Sequence, residues 1–366
     1  MRLWIKAVTV VALLCAYAPS KSRAADAIDQ YVVQVMQSKQ IPGLAFAVVE
    51  HGQVTVARTY GLANLETETP VRANSVFEIA SVTKPFTATA VMMLVEEGKI
   101  NLSDPITKFI DHTPPSWRDI SVQELLSHTS GLRGGGWVEW DGSPLLKITT
   151  KQMFDDVAKS PLVYASGAGA AYSDPGFFLL GMIIEKVSGM RYSEFMAQRV
   201  FAPAGMKNTR ILDRKTVIKN HVSCYELRGG QLQNDRRVWE HELPSYFGMA
   251  STVGDLAQWN IALDERRVLK QQTLAQMWTP TKLKNGSTAL VDGQPYGLGW
   301  IVNDLSGHRV VAHVGLTGCI MIRFLGDDFT VIVLTNLDAT AGPHELVLAL
   351  GITERLRPEL AQLFPH

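Results

Sequence analysis

Ser81-Val82-Thr83-Lys84 sets a hydroxyl and an ammonium three positions apart, where an apolar-rich run from Val82 to Glu97 reads as a helix stopped by Gly98. Residues i and i+3 share one helical face, so the two groups can meet. A serine hydroxyl is a weak nucleophile until a neighbouring base takes its proton. The first turn of such a helix leaves backbone N–H groups unpaired and carries partial positive charge, which suits an oxyanion forming near Ser81. Pro85 does no harm there, because a first-turn N–H has no helical acceptor. Taken out of water, Lys84 would have its charged form disfavoured and could serve as the base. An N-cap serine beside a surface lysine would leave the same spacing.

Two further segments carry complementary chemistry. Tyr172-Ser173-Asp174 precedes a helix expected from Pro175 to Val187. A phenol relays protons where neighbouring cations favour its phenolate. The plain alternative is a packed tyrosine with Asp174 as the helix N-cap. His313-Val314-Gly315 ends a β-run and is followed by Leu316-Thr317-Gly318. Glycine lets backbone approach a substrate closely, and the N–H that follows, on Leu316, is a candidate second oxyanion donor. Otherwise His313 is a structural histidine.

The elements that must bring these segments together are legible at both ends of the chain. Ile28, Tyr31, Val32, Val35 and Met36 recur at helical spacing, and the β-rich runs Leu44 to Val49 and Val54 to Arg58 are joined by the turn Glu50-His51-Gly52-Gln53. Near the other end, Trp300 to Val302, Arg309 to Ala312, Cys319 to Leu325 and Phe329 to Thr335 read as strands, followed by a helix from about Pro343 to Arg355. Neither set makes a stable sheet alone. The economical solution is an α+β fold in which terminal strands join one antiparallel sheet flanked by terminal helices, with a mainly helical lobe inserted. The expected division is 25–80 plus 290–366 for the sheet lobe and 81–289 for the helical lobe, with the site in the cleft between. Within the inserted lobe, Ser121 and Glu124 form a capping box, and Tyr192 to Phe201 and Thr252 to Leu263 read as helices.

Composition narrows the partners. The 366 residues are 46% hydrophobic and 19% charged, enough for a large core. Thirty-five basic side chains balance thirty-five acidic ones, which removes the electrostatic footprint of a nucleic-acid binder and favours a small or neutral partner. Residues 1–24 read as a cleavable export signal: Arg2 and Lys6, an apolar run from Ala7 to Ala18, then small residues before Ala25. That run is too short to span a bilayer, so a periplasmic or secreted protein without an integral span is expected. Lipid anchoring through Cys15 is the minor option, since Leu14 before it is large. Cys224 and Cys319 show neither Cys-x-x-Cys nor metal-ligand spacing and read as buried thiols. No His-Glu-x-x-His, phosphate loop or Gly-x-Ser-x-Gly elbow is present, so neither metal nor organic cofactor is expected.

Order and context join the three segments into one pattern. Ile41-Pro42-Gly43-Leu44, Phe77 to Pro85, Leu125-Leu126-Ser127-His128-Thr129-Ser130-Gly131-Leu132, Leu179-Leu180-Gly181, Ser251-Thr252 with Asp255-Leu256-Ala257, and Tyr296-Gly297-Leu298-Gly299-Trp300 follow one another across nearly the whole mature chain. In these motifs the sequence resembles the serine β-lactamase and penicillin-binding protein superfamily, especially its class C β-lactamase-like branch of esterases, D-aminopeptidases and carboxypeptidases. The resemblance implies a Ser81 nucleophile forming an acyl-enzyme, Lys84 and Tyr172 sharing general-base and general-acid work, and an oxyanion hole from the Ser81 and Leu316 N–H groups. It places His313 and Gly315 in the third motif and makes the segment around His128 mainly structural.

Two departures from the family pattern bear on substrate. Asp174 stands where Asn is usual; beside Lys84 it favours the ammonium and shifts the expected proton acceptor to Tyr172. His313 replaces the lysine of strict β-lactamases and offers a substrate carboxylate less positive charge. An esterase or peptidase of this family is the leading expectation, a true β-lactamase or D,D-carboxypeptidase the second. A binding protein that has kept the fold and lost activity is the alternative of another class. Trp137, Trp140 and Tyr246 are candidates for the cleft mouth.

Overall fold

The computed structural model describes residues 20–134, 148–213, 215–235 and 241–364. The expected leader up to residue 19, with Cys15, and the candidate residues Trp137 and Trp140 lie outside the described residues. The first helix, α1, is Ser20–Lys39, so it begins ahead of the expected cleavage point at Ala25. None of the described helices is long and apolar enough to cross a membrane.

The terminal strands do join. Strands β1 (Gly43–Glu50), β2 (Gln53–Asn64) and β3 (Thr69–Pro70) from the front of the chain meet β4 (Ile301–Leu305), β5 (His308–Gly315), β6 (Cys319–Phe324) and β7 (Phe329–Thr335) from the back. The sheet order is β4-β5-β6-β7-β1-β2-β3, antiparallel throughout, and the seam is β1 on β7 with Leu44 opposite Thr335 and Ala47 opposite Ile332. At the β1–β2 hairpin, His51 and Gly52 both take positive φ, 50° and 70°, the backbone of the turn that matches strand twist.

β1 is apolar on successive residues because both its faces are covered. Leu44, Phe46 and Val48 pack with Ile28 and Val32 of α1 and with Ile352 of α5 (His344–Leu356), near the chain's end. Ala45, Ala47 and Val49 face the second core, which contains α2 (Thr83–Glu96), α3 (Asp174–Ser188) and α4 (Val253–Asp264). Each fully buried Val, Leu or Phe in these layers contributes about 1.5–3 kcal/mol. Phe86 of α2 stacks on Trp259 of α4 with ring centroids 3.8 Å apart, and Trp259 stacks on Trp300, so the helix bearing Lys84 is held against the sheet.

The inserted lobe is less purely helical than its pattern suggests. Phe77–Glu78 and Arg210–Ile211 pair on either side of Met249–Ser251, and Tyr225–Arg228 forms a hairpin with Gln231–Asn234. Strands of two to four residues are too short for alternation to stand out. Tyr192 to Phe201 is not one α-helix either: Tyr192–Phe195 is α-helical and Met196–Phe201 widens to a π-helix, a distinction that apolar spacing does not resolve.

Candidate active site

The turn before Ser81 is built by short backbone pairings. Phe77–Glu78 pairs with Ala250–Ser251, and the Ile79 N–H donates to the Met249 carbonyl at 2.9 Å. Ala80 then takes φ +42°, a conformation that costs a non-glycine residue about 1–3 kcal/mol. Ser81 lies inside a 3₁₀ turn, Ala80–Val82, and α2 begins only at Thr83. Neither an N-cap role nor a place in the α-helix proper describes it, because the Phe77–Glu78 strand holds the chain in a tighter turn. The far wall is the end of β5: a Cβ at Gly315 would lie 2.3 Å from the Ile79 carbonyl oxygen, so only glycine lets the two backbones approach this closely.

Lys84 has no exposed surface. Its Nζ donates to Ser81 Oγ at 3.1 Å, to Asp174 Oδ1 at 2.6 Å and to the Tyr246 carbonyl at 2.9 Å, which uses all three ammonium hydrogens. It also lies 4.6 Å from the centre of the Tyr172 ring. Burial pulls the Lys84 amine below the ordinary lysine range, and the Asp174 carboxylate opposes that shift. Asp174 is the first residue of α3, and Ser173, not Asp174, is the N-cap, its Oγ accepting from the Gly176 N–H at 3.3 Å. The carboxylate is thereby left to face Lys84.

Tyr172 titrates in the direction opposite to the sequence expectation. Burial first, and then Asp174, push its phenol well above the ordinary tyrosine value, while a hydrogen bond with Ser81 pulls the other way. Desolvation and neighbouring carboxylates decide the direction, so Tyr172 rests as a phenol. Lys84, with its proton loosened by the same dry surroundings, is the better acceptor.

His313 is almost fully buried on β5, and burial lowers its pKa to about 3. It is therefore a neutral imidazole whose Nδ1–H donates to the Val314 carbonyl at 2.9 Å. Its Nε2 accepts from the Tyr296 hydroxyl at 3.0 Å, so both ring nitrogens are engaged within the protein. Leu316 sits on the turn after β5 with 40% of its surface exposed. Its carbonyl accepts from the Ala339 N–H at 2.8 Å, and the Gly318 N–H closes the turn onto the Gly315 carbonyl at 2.9 Å.

Ser81, Lys84, Tyr172 and Asp174 are thus in direct contact, and Gly315 is packed on the turn that carries Ser81. Two buried residues make contacts that local sequence pattern does not reveal. Tyr296 lies in the quoted Tyr-Gly-Leu-Gly-Trp run, but nothing in that pattern reveals its hydroxyl's partner. His128 lies in a segment whose family resemblance implies a mainly structural role, and its ring centre is 4.5 Å from that of Tyr172. Tyr246 is buried rather than at a cleft mouth, and contributes its carbonyl to Lys84. Cys319 is buried and Cys224 only partly so.

The β-lactamase family model matches residues 28–350. This chain belongs to the β-lactamase family. It is 28% identical over 85% of its length to a penicillin-binding protein of Bacillus subtilis (strain 168), of which it covers 72%. To protein flp of Staphylococcus aureus (strain MW2) it is 27% identical over 86% of its length, spanning 64% of that protein. An octameric penicillin-binding protein homologue from Pyrococcus abyssi superposes with a TM-score of 0.79 at 26% identity, covering 92% of this chain and 77% of that one. EstCE1, a hydrolase with promiscuous acyltransferase activity, superposes with a TM-score of 0.80 at 20% identity, covering 92% and 99%, a likeness of fold. The α+β architecture expected from the sequence is shared with these structures.

Proposed function

We propose that this β-lactamase-family hydrolase is an exported serine hydrolase that cleaves an ester or amide through an acyl-enzyme on Ser81. The observation that carries the reading is the fully buried Lys84 amine 3.1 Å from Ser81 Oγ, with Asp174 2.6 Å away on its other side. In its neutral form, with two N–H groups on Asp174 and the Tyr246 carbonyl and its lone pair toward Ser81, Lys84 accepts the Ser81 proton as Oγ attacks the carbonyl carbon, and Asp174 stabilises the ammonium that results. The Tyr172 phenol donates to the leaving group as its bond to carbon breaks, and is reprotonated from Lys84. Water then attacks the acyl-enzyme by the same steps in reverse order. The Ser81 and Leu316 N–H groups hold the tetrahedral oxygen, a donor role whose loss typically costs about 2.7–4 kcal/mol of transition-state stabilisation.

A neutral His313 with both nitrogens engaged supports an acyl donor that brings no carboxylate to β5. Esters and amino-acid amides therefore fit better than penicillins. The export signal rests on residues 1–24 alone, and an intact mass beginning at Met1 for secreted protein would exclude it.

The test is labelling with a fluorophosphonate, with turnover of p-nitrophenyl esters, D-amino-acid anilides and nitrocefin measured in parallel. One label per chain and ester or anilide turnover, both abolished by Ser81→Ala, are expected. Labelling without dependence on Ser81, or no turnover of any of the three, would overturn the reading. Nitrocefin turnover well above the ester rate would overturn the substrate preference.

A further inference from the structure

His128 is nearly fully buried, and its Nδ1 accepts the Ser173 backbone N–H at 3.0 Å. An imidazole nitrogen that accepts has no proton of its own, so neutral His128 carries its proton on Nε2. That Nε2–H is buried with no nitrogen or oxygen partner. The ring instead lies among three others: its centre is 4.5 Å from that of Tyr172, 4.8 Å from Tyr296 and 5.1 Å from Phe177. The backbone of His128 takes part as well. It adopts φ +60°, and its carbonyl accepts from the Ala171 N–H at 3.0 Å.

We propose that His128 is a positioning residue for Tyr172, fixing the phenol through its ring face and its backbone on one side and through Nδ1 on the other. The inference rests on the acyl-enzyme reading above. Three contacts hold one short segment: the His128 carbonyl on Ala171, the ring beside Tyr172, and Nδ1 on Ser173. Ser173 in turn caps α3 and delivers Asp174 to Lys84. A buried polar hydrogen without a partner is costly, and is retained where the surrounding geometry requires that side chain. Asn or Ser at position 128 would also offer an acceptor to the Ser173 N–H. What they would lack is the flat face beside the phenol.

The test compares His128→Asn, which keeps an acceptor near the Nδ1 position, with His128→Leu, which keeps bulk and loses it. Both are made in the wild-type and Tyr172→Phe backgrounds, with kcat and KM for a p-nitrophenyl ester and thermal unfolding measured for each. In the wild-type background, His128→Leu is expected to lower kcat on the order of 100-fold with KM changed less than about threefold, and His128→Asn to recover part of that loss. In the Tyr172→Phe background, the same substitution is expected to lower kcat by less than about threefold, because a residue acting through the phenol has nothing left to position. Full additivity of the two substitutions would overturn the inference, as would equal damage by Leu and Asn or an unchanged kcat in His128→Leu. Should His128→Leu fail to fold, the Asn variant alone decides by the same additivity criterion. If wild-type protein turns over no ester while folded, it is the acyl-enzyme reading that fails.

Discussion

Replacing Asp174 by Asn isolates the one charge that opposes the desolvation of Lys84. The amide keeps the shape of the carboxylate and an oxygen able to accept from Nζ, but removes its negative charge. Coulomb's law at the observed 2.6 Å, with an effective dielectric of about 20, gives about 6 kcal/mol for the intact pair. The Asp174 side chain is 25% exposed, and the variant retains a hydrogen bond, so the realised difference is smaller. Opposite charges at this range commonly shift a pKa by about 1–3 units, or about 1.4–4 kcal/mol. The sign is fixed: Asp174 raises the Lys84 pKa, so its removal lowers it. A base with a lower pKa stays unprotonated to lower pH. The acid limb of kcat/KM for a p-nitrophenyl ester should therefore move down by about 1–3 pH units in Asp174→Asn. Its plateau should also fall, because the ammonium formed during attack loses its counter-charge. An acid limb that stays within about 0.3 units of wild type, or that moves upward, would refute Lys84 as the base whose charge Asp174 stabilises.

Gly315→Ala would place a Cβ 2.3 Å from the Ile79 carbonyl oxygen, and overpacking against backbone costs about 1–3 kcal/mol. A lower melting temperature and a kcat loss larger than the KM change are expected, and wild-type turnover would show that the turn carrying Ser81 tolerates displacement. Glu345 is buried in the first turn of α5, and burial raises its carboxyl to about 7 from 4.5. The folded protein then binds more protons than the unfolded chain between about pH 4.5 and 7, so stability falls as pH rises through that window, by about 3 kcal/mol in all. Glu345→Gln should stabilise the protein more at pH 8 than at pH 4.5 in urea unfolding, and equal effects at both would contradict this.

The sheet was readable because its ends carry ordinary signals. Alternation and continuous apolar runs mark β1 and β5 to β7, and Glu50-His51-Gly52-Gln53 has the composition of a two-residue hairpin turn. The join of β1 to β7 followed from the instability of either set alone. What local pattern could not supply was contact across long separation. Tyr296 reaches His313 across the β4–β5 hairpin, and the Tyr246 carbonyl reaches Lys84 from a position 162 residues away. The direction of the Tyr172 shift is hidden from the sequence for a related reason. Sequence places a cation and a carboxylate nearby, but the cost of burial, which dominates, is a property of the packed site.

That dominance of desolvation accounts for the division of proton work proposed for the site. The same dry environment lowers the amine of Lys84 and raises the phenol of Tyr172, so it produces a base and an acid from two groups that are both protonated in water. Asp174 then acts on both in one direction, favouring the protonated form of each. With His128 and His313 both lowered by burial and neutral, no histidine competes for the serine proton. The substitution of Asp for the usual Asn at position 174 is therefore a tuning of Lys84 upward within an otherwise desolvated site. On the proposed mechanism it requires a higher operating pH than an Asn-bearing site of the same geometry.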